Sequence, residues 1–260
     1  ENGITTVTFN RPEKRNAMSP QLHREMFDLL TEIRYDKETR VVVLTGAGDN
    51  FSAGQDLKQY SLEMESQPER VRDEVREKVR RWRNEMLRTL PQPVIARITG
   101  WCLGGALTVV AGCDIALAAE DALFGLPEVN FGHFPAGDTT SVMTEHLKPK
   151  HGLYYALTGK MMTAQEAERI GLISKAVPKS ELDRQVAELA LSLREKSPLG
   201  LKAVKEAWYY SSYAAPDVAY EISNLISQRT IRDHGGRPGL EQFVQKKLRP
   251  TSGVMQLNEQ

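Results

Sequence analysis

Two kinds of hydrophobic pattern alternate along the chain. Runs in which nearly every residue is apolar occupy residues 40–46 (RVVVLTG), 93–100 (PVIARITG) and 114–120 (DIALAAE), and a looser alternation covers Ile4–Phe9. Short, β-branched runs that end at glycine, proline or charged residues are typical of strands buried in a sheet. We therefore predict a strand at each of these four places.

Helical spacing fills the segments between these runs. Ser19 and Pro20 form an N-terminal cap and first turn, after which apolar residues recur every three or four positions. A long charged helix is predicted over residues 65–87, and a short apolar one over 104–113. Further helices are expected after Thr163, after Ser180, and over residues 199–210 and 218–232, followed by an irregular tail.

Alternating strands and helices favour an α/β fold with parallel strand pairing. The last quarter of the chain contains only helical patterns and has the character of an added layer. We therefore divide the chain into a core domain, residues 1–195, and a C-terminal helical region, residues 196–260.

Composition limits the function classes. The 260 residues contain 34 Lys and Arg and 34 Asp and Glu, so the net charge is zero and offers no basic surplus for nucleic acid. Only two cysteines occur, Cys102 and Cys113, which favours buried thiols in a reducing compartment over a disulfide framework. No signal peptide, membrane span or metal-binding motif is recognisable, and we expect a cytoplasmic protein that binds no metal.

Two glycine-containing turns follow predicted strands. In GWCLGGALTVVAGCD, Gly104 and Gly105 precede a helix, whose first N–H groups are free to bind an anionic oxygen. In SAGQD, a second small-residue turn can present the N–H of Gln55. Two such groups that converge would form an oxyanion hole for a carbonyl that becomes an enolate. The alternative is that both turns only allow close backbone packing.

Glu128 is the best acid–base candidate, because it lies in the apolar stretch FGLPEVNFG, where burial would raise the pKa of its carboxyl. The alternative is a glutamate that faces water or pairs with an arginine. Other motifs are excluded. LTGAGDNF lacks the third glycine of a dinucleotide fingerprint, no serine lies in a nucleophile elbow, and His133 is interpreted as a loop residue.

Together these motifs resemble the enoyl-CoA hydratase/isomerase (crotonase) superfamily. The match runs in order through NRPEKRNAMS, VVVLTGAGDNFSAGQDLK, GWCLGGALTVVAGCDIALAAEDALFGLPEVNFG, LTGKMMTAQEAERIGLISKAVP and GLEQFVQKKLRP. The resemblance implies a crotonase-like superhelix of β-β-α turns with a helical C-terminal region used in oligomerisation. It also implies a coenzyme A thioester as the substrate, no separate cofactor, and a homotrimer or a dimer of trimers.

The resemblance also implies roles for individual residues. The N–H groups of Gln55 and Gly105 would form the oxyanion hole, and Glu128 matches the second catalytic glutamate of the family. The position of the first catalytic glutamate is occupied by Thr108, so the chain resembles a member with a single catalytic carboxylate. The positions that match coenzyme A and acyl contacts are Lys14, Ala53, Leu57, Pro127, Phe131, Phe243 and Lys246.

Within the superfamily, NRPEKRNAMSP, AGQDLKQY, GWCLGG and FGLPEVNFG are most similar to the hydroxycinnamoyl-CoA (feruloyl-CoA) hydratase-lyase branch. Tyr60 matches a tyrosine of that branch that contacts the substrate phenol. Thr108 matches a small hydroxyl residue, and we expect it to lie at the substrate site and to help position the attacking water. Gln55 replaces a methionine of that branch.

The expected activity is addition of water to a 2-enoyl-CoA, followed in the hydroxycinnamoyl case by cleavage to an aromatic aldehyde and acetyl-CoA. A plain 2-enoyl-CoA hydratase and a Δ3,Δ2-enoyl-CoA isomerase remain open, because the isomerase needs only one carboxylate. From another class, some superfamily members bind RNA or act as assembly subunits.

Overall fold

A computed structural model describes residues 2–232, 240–241, 244–245, 248–251 and 254–257, the last two ranges by their backbone. The strands in these ranges are β1 (Ile4–Phe9), β2 (Val41–Gly46), β3 (Val94–Ile98), β4 (Trp101–Leu103), β5 (Ile115–Ala119), β6 (Leu123–Gly125), β7 (Met161–Thr163), β8 (Lys175–Val177), β9 (Leu248–Thr251) and β10 (Val254–Leu257). The main helices are α1 (Pro20–Tyr35), α2 (Glu69–Arg80), α3 (Gly105–Gly112), α4 (Thr139–His146), α5 (Pro149–Thr158), α6 (Ala164–Arg169), α7 (Lys179–Arg194), α8 (Pro198–Tyr213) and α9 (Pro216–Arg232).

The main sheet has five strands in the order β1–β2–β3–β5–β8, and every pair in it is parallel. All six residues of β2 are buried, which is the expected state of a strand covered on both faces. Val42 and Leu44 belong to the larger hydrophobic core together with residues of α1. Val41 and Val43 point to the opposite face, where residues of α7 complete a second core. The predicted α/β fold and its four strands are confirmed.

A smaller sheet places the site. It has the order β4–β6–β7, with β4 and β6 parallel and β7 antiparallel to β6. The chain that leaves β2 runs alongside β4, because the Ser52 N–H donates to Trp101 O at 2.9 Å and the Leu103 N–H donates to Ser52 O at 3.0 Å. The turns at Gly54 and Gly104 therefore follow two adjacent extended segments.

The long helix predicted over residues 65–87 starts later and ends later. The helix begins at Glu69, directly after Pro68. A proline supplies no N–H and disfavours a helical conformation in the residue before it, so the helix does not extend back to residue 65. The helix continues beyond α2 through a π-helical segment, Arg81–Met86, and a last turn, Leu87–Thr89. Upstream of it, π-helical turns cover Leu57–Leu62.

Other predictions also need correction. α7 begins at Lys179 after Pro178, so Ser180 lies inside the helix and is not its cap. The expected irregular tail contains an antiparallel pair, β9 and β10. The short strands β4, β6, β7 and β8 were not predicted, since three-residue strands carry no periodicity. The helices α4 and α5 were not predicted either. Thr163 caps α6 as predicted, by accepting from the Glu166 N–H at 3.2 Å.

A buried lysine ties the C-terminal helices to the core. Lys205 of α8 donates to Leu87 O at 3.2 Å and Gln92 O at 2.9 Å, and its Nζ lies 2.7 Å from the Asp114 carboxylate. The division predicted at residue 195 falls between α7 and α8 and stays a prediction. In the described part of the chain, no helix combines the length and the apolar character needed to cross a bilayer.

We expect Lys205→Met to lower the free energy of unfolding by about 3 kcal/mol, since removing one partner of a buried pair leaves the other charge unpaired. Lys202→Met, on the same helix, is the matched control. Among the described residues, Lys202 forms one ion pair, an exposed one with Glu206 at 3.7 Å, so its loss should cost under about 1 kcal/mol. Urea denaturation of both variants checks this, and equal midpoints would contradict it.

Candidate active site

Two glycine turns touch each other at the centre of the site. Gly54 has a φ of +90°, and a Cβ at this position would lie 2.6 Å from the Leu103 carbonyl oxygen and 3.5 Å from the Gly105 nitrogen. Any side chain at Gly54 would therefore push the two turns apart. The close packing that was the alternative interpretation is present, and it brings the predicted donors together.

The N–H of Gln55 is left free by the pairing around it. The Met18 N–H donates to Gly54 O at 2.7 Å, and the Asp56 N–H donates to Met18 O at 3.0 Å. Because successive N–H groups of an extended segment point to opposite sides, the Gln55 N–H points away from Met18. No acceptor among the described residues binds it.

The N–H of Gly105 is free for a different reason. It opens α3, and the first N–H groups of a helix have no partner within the helix. The neighbouring Gly104 N–H is occupied, since it donates to Gly125 O at 2.9 Å. Within the described ranges, nothing accepts from the Gly105 N–H. Gln55 and Gly105 thus offer two backbone donors at adjoining turns.

Glu128 lies beside these turns. It is in a short 3-10 helix, Pro127–Phe131, that follows β6. A Cβ on Gly104 would lie 2.8 Å from Glu128 Oε1, so the carboxylate occupies the space that this glycine leaves. Oε2 is buried and has no hydrogen-bond partner among the described residues. Burial raises the pKa of Glu128, and its own backbone N–H and the nearby His133 offset part of this effect.

A cavity of about 710 Å³ contains these groups. Eight of the predicted site residues line it: Ala53, Gln55, Leu57, Tyr60, Gly105, Pro127, Glu128 and Phe131. The turn after β2, the start of α3 and the turn after β6 therefore face one space. His133, which the sequence placed in a loop, also lines the cavity.

The structure does not bring all predicted residues to this cavity. Thr108 is fully buried in α3, and its hydroxyl donates to Thr139 Oγ1 at 3.2 Å. Thr139 lines the cavity in its place, because α4 covers this part of α3. Lys14 is exposed on the turn after β1 and is not a lining residue. Phe243 and Lys246 lie outside the described residues.

A buried ion pair that the sequence analysis missed lies next to Gly105. Arg83 Nη2 donates to Asp138 Oδ1 at 2.5 Å, and Nη1 donates to Gly105 O at 3.3 Å. Both side chains are more than nine-tenths buried and line the cavity. Arg83 thereby holds the residue that carries the second donor. Its spacing of four from the buried Val79 is the signal that could have identified it.

A second missed group lies behind Gln55. His23 is fully buried, and burial lowers its pKa to about 3, with the charge of Arg83 adding to the effect. Its ring contacts the indole of Trp82 and the carboxamide of Gln55. Its spacing of three from the buried Met26 on α1 marks it as an inward-facing residue.

The described part of the chain contains no cluster of three or more His, Cys, Asp or Glu side chains that is placed to hold a metal ion. The donors and the carboxylate described above suit a carbonyl that gains negative charge while a proton is transferred.

Comparison with known proteins identifies the family to which this chain belongs. The family model described as Enoyl-CoA hydratase/isomerase matches residues 1–250. The chain is 38% identical to a hydroxycinnamoyl-CoA hydratase-lyase of Pseudomonas fluorescens, over 95% of this chain and 91% of that one. It is 35% identical to a short-chain-enoyl-CoA hydratase of Clostridium acetobutylicum, over 95% of this chain and 93% of that one. The structure is also similar to that of an enoyl-CoA hydratase of Mycobacterium smegmatis, with a TM-score of 0.87 and 26% identity. The match covers 98% of this chain and 96% of that one. The predicted crotonase-like fold is thereby confirmed.

The contact between the two turns predicts a difference between two alanine substitutions. Gly54 and Gly171 have similar positive φ values, +90° and +85°, but a Cβ on Gly171 would meet nothing within 4 Å. Gly171→Ala should therefore cost only the backbone strain, about 1–2 kcal/mol. Gly54→Ala should cost roughly 1–3 kcal/mol more, because the Leu103 carbonyl must move. Urea denaturation measures both, and equal losses would show that the turns do not touch as described.

Proposed function

Since this chain belongs to the enoyl-CoA hydratase/isomerase family, we propose that it adds water to the double bond of a 2-enoyl-CoA thioester. The observation that carries the proposal is the position of Glu128 beside the two adjoining turns that hold the free backbone donors, Gln55 and Gly105. A base and an oxyanion hole on one small cavity are what this reaction requires.

The donors stabilise the intermediate. When water attacks Cβ, electrons move to the thioester oxygen and an enolate forms. The N–H groups of Gln55 and Gly105 bind that oxygen, and each such donor typically contributes about 3 kcal/mol in the transition state. Arg83 holds the Gly105 peptide in place through a hydrogen bond to its carbonyl, while Asp138 balances the charge of the guanidinium.

Glu128 transfers the proton. Its carboxylate takes a proton from the attacking water, and the protonated side chain then returns a proton to Cα of the enolate. Burial suits it to this task, since a raised pKa makes the carboxylate a stronger base. The hydroxyl of Thr139, bonded to Thr108, lines the same cavity and can help to position the water.

A hydroxycinnamoyl-type substrate is the finer form of the proposal. The similarity to the Pseudomonas fluorescens protein supports it, as does Tyr60, whose half-buried phenol lines the cavity. In that case Glu128 takes the proton of the 3-hydroxyl group and the Cα–Cβ bond breaks. An aromatic aldehyde leaves, and the enolate of acetyl-CoA takes up a proton. Burial raises the pKa of Tyr60, with Arg83 opposing this effect, so the phenol stays protonated and can donate a hydrogen bond.

The proposed assembly is a trimer or a dimer of trimers. Exposed apolar side chains on the C-terminal helices support it, among them Val204 and Trp208 of α8, which are 66% and 79% exposed. Such side chains favour burial against another subunit.

Glu128→Gln should retain binding of acyl-CoA but lower turnover by about 10²- to 10⁴-fold, because the amide keeps the shape and removes the base. In the wild type, kcat/KM should fall as the pH drops through the raised pKa of Glu128, above the ordinary 4.5, because the protonated carboxyl cannot accept a proton. Loss of the enoyl absorbance of crotonyl-, cinnamoyl- and feruloyl-CoA measures this. Glu38→Gln, at an exposed site, is the control. Near-normal turnover of Glu128→Gln would refute the mechanism. If the wild-type protein transfers deuterium from heavy water to an unsaturated acyl-CoA without hydrating it, an isomerase is indicated.

Tyr60→Phe should separate the substrate classes. If the phenol binds the para-hydroxyl group of the substrate, its removal should cost roughly 1–3 kcal/mol with feruloyl- or coumaroyl-CoA. No loss is expected with crotonyl-CoA, which has no hydroxyl group. Tyr35→Phe, at a side chain 77% exposed, is the matched control. Equal effects on both substrates would give Tyr60 a packing role and favour a plain hydratase.

A further inference from the structure

Three side chains form a hydrogen-bonded chain that ends at the oxyanion turn. The Trp82 indole N–H donates to His23 Nδ1 at 3.1 Å, and His23 Nε2 lies 2.8 Å from Gln55 Oε1. The three residues come from the π-helical segment after α2, from α1 and from the turn after β2. They connect the interior of the protein to the residue that carries the first backbone donor.

The direction of this chain follows from chemistry. An indole N–H can only donate, so His23 Nδ1 must be the acceptor. A neutral imidazole carries one N–H, which must then be on Nε2 and must donate to Gln55. The ring is neutral at working pH because burial lowers the pKa of His23 to about 3. Gln55 therefore presents its oxygen to His23, and its NH₂ group is on the other side of the amide.

The NH₂ group is the end of the amide that remains available to the cavity, which Gln55 lines. The Gln55 Cγ is 3.6 Å from where a Cβ on Gly105 would be, so the side chain runs alongside the second donor. Within the described residues, Gln55 Nε2 has no hydrogen-bond partner, although Oε1 of the same amide is bound. His23 fixes the orientation of the amide through Oε1, and Nε2 is left without a partner among the described residues. Such a donor is suited to bind an oxygen of a ligand.

We propose that the carboxamide of Gln55 donates a third hydrogen bond to the thioester oxygen, and that Trp82 and His23 are positioning residues that set its direction. This inference rests on the proposed function, because it assigns a further donor to the same oxyanion hole. His23 is not an acid–base group, since it is fully buried and does not line the cavity. The ring of Tyr60 packs edge-on against His23, at 5.3 Å between centroids.

Gln55→Met tests the third donor, because the backbone N–H stays while the side-chain donor is lost, together with the acceptor for His23 Nε2–H. We expect kcat to fall about tenfold, with KM little changed, as for loss of one hydrogen bond to a developing charge. Gln59→Met is the matched control. It makes the same substitution four positions later, at an exposed glutamine outside the cavity, and should leave kcat unchanged.

Carbonyl polarisation gives a readout independent of turnover. Butyryl-CoA labelled with ¹³C at the thioester carbonyl has no double bond to hydrate, so its infrared stretch can be measured in the bound state. Wild-type protein and Gln59→Met should lower the stretching frequency by the same amount. Gln55→Met should lower it less, because one donor to the oxygen is absent.

Trp82→Phe tests the positioning role. Without the indole donor, the proton of His23 can move to Nδ1, and Nε2 then accepts from Gln55 and turns the NH₂ group away from the cavity. This variant should lose as much kcat as Gln55→Met, and the double variant should lose no more than either. The ¹⁵N chemical shifts of His23 should show the proton on Nε2 in the wild type and a changed tautomer in Trp82→Phe.

The outcomes separate the two proposals. If wild-type protein neither binds butyryl-CoA nor hydrates any enoyl-CoA, the proposed function is wrong. If it does both while Gln55→Met keeps wild-type kcat and carbonyl frequency, the third donor is refuted and the hydratase stands. A proton on Nδ1 in the wild type, or full activity of a folded Trp82→Phe, would refute the positioning role. If circular dichroism shows that Trp82→Phe is unfolded, the kcat of Gln55→Met and the tautomer of His23 in the wild type decide instead.

Discussion

The contact between the Gly54 turn and the Gly104–Gly105 turn is the constraint on which the rest of the structure depends. Two peptide N–H groups can point at one oxygen only if their backbones approach closely, and this approach excludes a Cβ at Gly54. The strands bring the two turns into this contact. The segment after β2 pairs with β4, so both turns leave the sheets at the same level. The buried parallel sheet below supplies the rigidity that prevents the turns from separating.

Buried polar groups then support the turns from behind. Arg83 binds the carbonyl of Gly105 and pairs with Asp138, and His23 binds the side chain of Gln55. Neither donor turn is therefore held by apolar packing alone. Hydrogen bonds have direction, whereas hydrophobic contacts do not, and a site that must aim donors needs directional support. Trp82 and Arg83 come from one helical segment, so α2 and its extension serve both turns at once.

Local signals made most of the fold and the donors predictable. The buried strands, the Ser19 cap and the glycines of the two turns each depend on residues near one another in the chain. The support behind the turns does not. Arg83 and Asp138 are 55 positions apart, and Trp82 and His23 are 59 apart, so no periodicity connects them. Thr108 was expected in the cavity because of the family resemblance, and nothing in its own helix shows that α4 covers it. The start of the long helix was misplaced because the prediction ran through Ser66, Gln67 and Pro68, although a proline marks the boundary of a helix.

The π-helical segment Arg81–Met86 has a consequence for deletions in this part of the chain. Consecutive residues of a regular α-helix point about 100° apart, yet Trp82 and Arg83 are both buried and serve different turns. A widened turn accommodates both side chains. A π-helical turn holds one residue more than an α-helical turn, so deletion of a single residue here would restore regular winding and remove one of the two inward-facing positions. The number of residues in this segment therefore affects both donor turns, because Trp82 supports one of them and Arg83 the other.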